Sequence, residues 1–129
     1  MITILPAAGP EKDKYLEQTG WEGTDCELLL MKDREQVLGG AAVTIENSEL
    51  FFWLFVERAS LSSLTAEQRF IADSLLRAAA SFGANQGAYR LAAQQQEGWD
   101  FFRAEGFSMD DSGRMLLSTS AIVKICKET

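Results

Sequence analysis

Apolar and polar positions alternate with two different periods along this chain, and the clearest contrast lies in its middle third. From Leu50 to Val56 every residue is apolar (LFFWLFV), which predicts a strand buried on both faces near the centre of a sheet. A polar connection follows. From Thr65 to about Phe82 the spacing becomes helical, with one ladder at Phe70, Ser74, Ala78 and Phe82 and another at Ile71, Leu75 and Ala79. Thr65 and Gln68 have the spacing of a capping box at the helix start, and Gly83 is the expected end. Arg69, Asp73 and Arg77 alternate in sign at i, i+4 on the opposite face, the pattern of a solvated face with mutual ion pairs.

The flanking pattern supplies the remaining elements. Ile2 to Leu5 reads as an edge strand closed by Pro6, Gly9-Pro10 as a turn, and Glu11 to Thr19 as a short helix with Gly20 just past its end. Trp21 is expected to anchor the returning chain. Cys26 to Met31 and Val37 to Glu46 form a hairpin, and the paired Gly39-Gly40 suggests a bulge or a close backbone approach. Asn47-Ser48 turns the chain into the apolar strand. Tyr89 to Ala93 is a strand, Glu97 to Glu105 a helix, and Gly106-Phe107 a Schellman ending that sets Phe107 against Phe102. Phe107 to Met109 and Arg114 to Ile125 form a last hairpin across Asp110 to Gly113. The fold class is α+β, with a mixed, mostly antiparallel central sheet flanked by helices in a single domain over residues 1–129.

Charge and composition narrow the function. The net charge of −7 and the acidic pI of about 4.6 leave no basic footprint for nucleic acid or an anionic membrane. No histidine occurs, which removes the commonest metal ligand and general base, so no metal site is expected. Cys26 and Cys126 are not in metal-ligand spacing and read as reduced core thiols of a cytoplasmic protein, with a disulfide between strands as the alternative. Neither a signal peptide nor a membrane-length apolar run is apparent.

The order of elements, together with three segments, resembles the GNAT superfamily of acyl-CoA-dependent N-acetyltransferases. Leu28 to Val43 (LLLMKDREQVLGGAAV) is similar to that family's second and third strands. Leu54 to Arg77 is similar to the fourth strand and the motif A helix, and Phe101 to Phe107 (FFRAEGF) to the F-Y-x-x-x-G-F segment of motif B. The resemblance implies a GNAT-like fold, acetyl-CoA as co-substrate, and direct attack of a small amine on the thioester. It implies that the pantetheine arm bonds to strand backbone at Phe55 and Val56. The pyrophosphate window aligns with Glu67 to Ala72, which makes Arg69, Phe70 and Ala72 the cofactor-binding positions. Glu57, directly after the central strand, is the implied general base, with Glu46 as a weaker candidate.

Three departures from the family pattern accompany the resemblance. Only Ala72 fits the glycine-rich pyrophosphate pattern, Phe102 stands where many members have a tyrosine acid, and the region between the first two strands has room for one short helix rather than two. Two main readings follow, beside a third in which the cleft takes a small neutral or cationic metabolite in an apolar pocket. One is a GNAT-like acetyltransferase acting on a small amine. The other is a catalytically degenerate GNAT-like domain serving as a ligand-binding or dimerisation module, with a homodimer as its expected assembly.

Overall fold

The computed structural model describes residues 1–19 and 26–122. Seven strands form one sheet: β1 (Ile2–Pro6), β2 (Glu27–Asp33), β3 (Gln36–Glu46), β4 (Glu49–Val56), β5 (Arg90–Ala93), β6 (Ser108–Met109) and β7 (Met115–Ser118). Their order is β1-β2-β3-β4-β5-β7-β6. Pairing is antiparallel throughout except between β4 and β5, which are parallel. Among the described residues, the helices α1 (Gly9–Leu16), α2 (Ala66–Asn85) and α3 (Trp99–Ala104) accompany them.

The apolar run of β4 explains the layering. Leu50, Phe52, Leu54 and Val56 point to the face covered by α2 and α3, and pack in one core with Leu75, Leu76, Phe101 and Phe102. Phe55 points to the other face, where Ala7, Leu28, Leu30 and Ala42 form a smaller core under Tyr15 and Leu16 of α1. The Tyr15 and Phe55 rings stack 6.1 Å apart. β4 is thus buried on both sides at most of its positions.

The paired glycines act in both of the ways expected of them. Met31 pairs with Gly39 but Lys32 with Val37, so Leu38 is an extra residue in β3. A Cβ on Gly39 would lie 2.5 Å from the backbone oxygen of Phe55, so the approach of β4 requires a residue without one. Asn47 and Ser48, both with positive φ, make the two-residue turn into β4.

Several boundaries differ from those the pattern predicts. Gly9 and Pro10 open α1 instead of forming a turn, because proline's fixed φ suits the first helical turn, and residues 17–19 finish as a 3-10 turn. α2 runs through Gly83 to Asn85, since Gly83 is an interior contact whose added Cβ would meet Leu50 at 2.9 Å. α3 begins at Trp99, because Gly98 is left-handed at φ +82°. β7 ends at Ser118, where its partner β5 begins at Arg90. There Thr119 instead donates its hydroxyl to Ala88 O and its N–H to Tyr89 O, and residues 119–122 turn helical. The Schellman ending holds: Gly106 N–H donates to Arg103 O and Phe107 N–H to Phe102 O, with the two phenylalanine rings 5.4 Å apart. Cys26 is buried, while Trp21, Gly20 and Cys126 lie outside the described residues. No helix among the described residues is long and apolar enough to cross a membrane.

Candidate functional site

β4 and β5 pair only from Glu49↔Arg90 to Phe52↔Ala93, after which β4 continues alone to Val56. Parting strands leave backbone groups on the free edge of β4 that must find partners. The chain supplies them. Gln94 N–H donates to Phe52 O at 2.9 Å. The next residue, Gln95, is buried and turns its amide along β4 like one more rung of the sheet. Its Oε1 accepts from Leu54 N–H at 2.7 Å and its Nε2 donates to Leu54 O at 2.8 Å. Val56 O accepts from Ala59 N–H at 3.2 Å.

The connection from Glu57 to Thr65 folds over the same opening. Leu61 is buried and belongs to the main core. It lies so close to Gly98 that a Cβ there would be 2.5 Å from its own. Ser60 Oγ donates to Glu97 Oε2 at 3.0 Å, and Trp99 Nε1 donates to Gln95 O at 3.1 Å. The Gln95 amide therefore occupies the free edge of β4 at Leu54, and Leu61 packs beside Gly98 in the segment that follows β5.

At the next station α2 begins with the capping box its sequence announces. Gln68 N–H donates to Thr65 Oγ1 at 3.2 Å, and Thr65 N–H donates to Gln68 Oε1 at 3.0 Å. Glu67 sits in the first turn, complementing the helix dipole. The whole window from Glu67 to Ala72 is helical rather than looped. Arg69 lies over the Phe101 ring at 5.4 Å. Phe70 is exposed, outside the ladder expected to bury it, and Ala72 is fully buried on the opposite side of the helix. The structure does not bring Arg69, Phe70 and Ala72 together around one ligand. Phe102, at the tyrosine position of motif B, is fully buried among Phe52, Phe101 and Phe107. Tyr89, the one tyrosine of the C-terminal half, is exposed and has the Arg90 guanidinium over its ring.

Glu57 follows β4 as the sequence indicates, and Phe55 and Val56 directly precede it. Its backbone N–H donates to Leu38 O at 3.0 Å, and it lines a cavity of about 450 Å³ with Tyr15, Val37, Arg58, Glu67 and Gln68 among the other residues. Its Oε1 is buried with no hydrogen-bond partner. Glu46 stands at the far end of β3, opposite Glu49, away from this cavity.

The charged face of α2 is half covered rather than solvated. Arg77 Nε bonds Asp73 Oδ2 at 3.0 Å, and Glu105 at the end of α3 faces the same pair. Desolvation, followed by a hydrogen bond to Asp73 and the charge of Asp73, pushes the Glu105 carboxyl up to about 7. Arg69, Arg77 and Asp73 are all felt by that carboxyl.

No family model matches the sequence, and no curated protein matches it. Solved structures do match in fold. An acetyltransferase of the GNAT family from Staphylococcus aureus Mu50 superposes with a TM-score of 0.67 at 10% identity, over 92% of this chain and 99% of the other. A tyrosine-to-phenylalanine mutant of the toxin AtaT, bound to the C-terminus of the antitoxin AtaR, gives 0.69 at 14% identity over 100% and 99%. A GNAT family acetyltransferase from Brucella melitensis in complex with acetyl-CoA gives 0.63 at 15% identity over 92% and 88%. This chain has the GNAT fold. In it, the parting of β4 and β5 is the place where the resemblance sets the pantetheine arm, at Phe55 and Val56, directly after the Leu54 that Gln95 bonds. Gln95 and Leu61 are the residues that pattern reading passes over. The only sequence signal for them is the glutamine run Gln94 to Gln96 and the nine-residue length of the connection 57–65.

Proposed function

We propose that this chain is a GNAT-fold ligand-binding domain whose acyl-CoA groove is closed by its own side chains. The observation that carries the reading is the two-point bond of the Gln95 amide to Leu54 N–H and O. That bond puts the Gln95 side chain on the β4 edge next to Phe55 and Val56, where the resemblance sets a pantetheine arm, and a ligand gains little by replacing one amide pair with another. The self-capped start of α2 and the buried ring of Phe102 support the same reading. Differential scanning fluorimetry and calorimetric titration with acetyl-CoA are expected to show neither a shift in melting temperature nor heat at millimolar cofactor. A saturable response that perturbs the Leu54 and Gln95 amides in NMR spectra would sink it.

The second reading is an acyl-CoA-dependent N-acetyltransferase acting on a small amine. What supports it is the fold shared with the acetyl-CoA complex of the Brucella melitensis protein and the place of Glu57 at the end of β4. In this reading Gln95 swings out, Phe55 and Val56 hold the arm, Arg69 meets the diphosphate, and Glu57 takes the amine proton. Release of CoA thiol on mixing acetyl-CoA with a panel of primary amines, lost in Glu57→Gln, distinguishes it from the first. Sedimentation at micromolar concentration tests whether a homodimer accompanies either reading.

A further inference from the structure

The two edges of the sheet are finished differently. On one side β6 is two residues long and runs into Asp110 and Asp111, and a short strand beside charges resists pairing with another chain. On the other side β1 has five residues in unbroken register with β2, from Ile2↔Asp33 to Pro6↔Leu29. It carries no charged side chain, and the Met1 ammonium at its start is held by Asp33 at 3.2 Å. Met1, Ile2 and Leu5 are 89%, 49% and 62% exposed, so the edge is apolar as well as bare. Its backbone is equally open. Ala7 N–H donates to Leu28 O, and Met1 O accepts from Arg34 N–H. By alternation Met1, Thr3, Leu5 and Ala7 turn their backbone groups toward β2. Ile2 and Ile4 turn theirs outward, where β1 has no neighbouring strand. Pro6 turns outward too, but it has no N–H to give.

We infer that two copies of this chain associate through β1, paired antiparallel about a two-fold axis at Thr3. In that register Ile2 of each copy exchanges both backbone bonds with Ile4 of the other, and Thr3 faces Thr3. Met1 lies beside Leu5, so the exposed apolar side chains cover one another. Pro6 falls outside the paired stretch and ends it. Moving the axis to Ile4 would set Ile2 opposite Pro6 and leave the Ile2 carbonyl without a donor. A second copy is the occupant because the edge is its own complement: donors, acceptors and apolar side chains match under a two-fold axis. The paired stretch is short for a stable interface, and each copy carries −7. The dimer is therefore weak, and it strengthens as salt screens the repulsion. The inference names the surface for the homodimer that either reading above allows and rests on neither, since β2 and β3 separate β1 from β4.

The test is amide hydrogen exchange by NMR, with sedimentation in parallel, on the full chain from about 20 μM to about 1 mM. Exchange at Ile2 and Ile4 is expected to slow at least about twofold over that range, and further with added salt, while Thr3 and Leu5, already bonded to β2, stay unchanged. Leu5→Lys, at an exposed position, should weaken the dimer at least about fivefold. Facing Thr3 residues would lie about 4.5 Å apart at Cα, within disulfide reach. Under oxidation Thr3→Cys should therefore cross-link two chains faster than Leu5→Cys does, and faster than the parent with its Cys26 and Cys126. A monomer throughout the range, a dimer that leaves the Ile2 and Ile4 amides unprotected, or equal cross-linking at positions 3 and 5 would overturn the inference. So would a protein that stays monomeric and gains this protection only on adding a Val-Thr-Val-Thr-Val peptide, which would give the edge to a different chain. The exchange measurement on the unmodified chain stands even if a variant does not fold. Failure here leaves the closed groove untouched, and acetyl-CoA binding at Gln95 would leave this edge as it is.

Discussion

Replacing Gln95 tests the closed groove most directly. In Gln95→Leu, side-chain volume is nearly kept while both bonds to Leu54 are lost, at 2.7 and 2.8 Å. The N–H and the carbonyl of Leu54 are then left buried without partners. Each such loss costs about 1–3 kcal/mol, so the pair costs about 2–6 kcal/mol. That is a large share of the roughly 5–15 kcal/mol that holds a domain of ordinary stability. For a chain of this size it corresponds to a fall in melting temperature of about 10–20 °C. Gln95→Ala removes the same two bonds but leaves the space of the amide for a bridging water, so it should cost less than the leucine. A packing argument predicts the reverse order, because alanine leaves the larger cavity. Gln95→Glu adds a third comparison. Ionised, it still accepts from Leu54 N–H but repels the carbonyl; protonated, it restores both bonds, so its deficit should shrink as pH falls. Thermal and urea unfolding followed by circular dichroism measure all three. A leucine variant within about 3 °C of the parent, or an alanine variant less stable than the leucine one, would refute the assignment of these bonds. If the amide is what closes the groove, the alanine variant should also gain a thermal shift with acetyl-CoA that the parent lacks.

Four further outcomes are expected. Glu105 has its carboxyl raised from 4.5 to about 7 by desolvation and by Asp73, so between those values the native state holds more protons than the unfolded one. Stability should therefore fall as pH rises through that window, and Glu105→Gln should flatten the slope in melting temperature measured across it. Below it Glu49 takes over: the hydrogen bond from Arg90 holds its carboxyl below the usual value, against desolvation and with help from Arg114, so stability should be lost again as acid protonates it. Thr65→Ala removes the cap on Gln68 N–H and should cost about 1 kcal/mol in urea unfolding, while Thr65→Ser should retain most of the stability. Gly39→Ala places a methyl 2.5 Å from the Phe55 carbonyl, a backbone atom of the central strand. It should lower stability by about 1–3 kcal/mol or more, and equal urea midpoints for variant and parent would show that β3 and β4 separate more easily than their register implies.

The sequence alone determined the features whose causes are local. The order of the elements, the capping box at Thr65 and Gln68, the Schellman ending at Gly106-Phe107 and the close approach at Gly39 are each written in residues near one another. Each depends on backbone conformation or short-range hydrogen bonds. The position of Glu57 after β4 was readable for the same reason. Element ends were less so: α2 passes Gly83 because of Leu50, and β7 stops at Ser118 because β5 starts at Arg90. Tertiary structure alone decided the state of the site. Gln95 and Leu54 are separated by 41 positions along the chain, and nothing in a glutamine's neighbours says that its amide will serve as a rung of a distant strand. Burial of Leu61 against Gly98, the unpartnered oxygen of Glu57 and the raised carboxyl of Glu105 likewise arise where separate elements meet. Desolvation and hydrogen-bond satisfaction are properties of that meeting, because a side chain's partners are fixed only when the chain has closed around it.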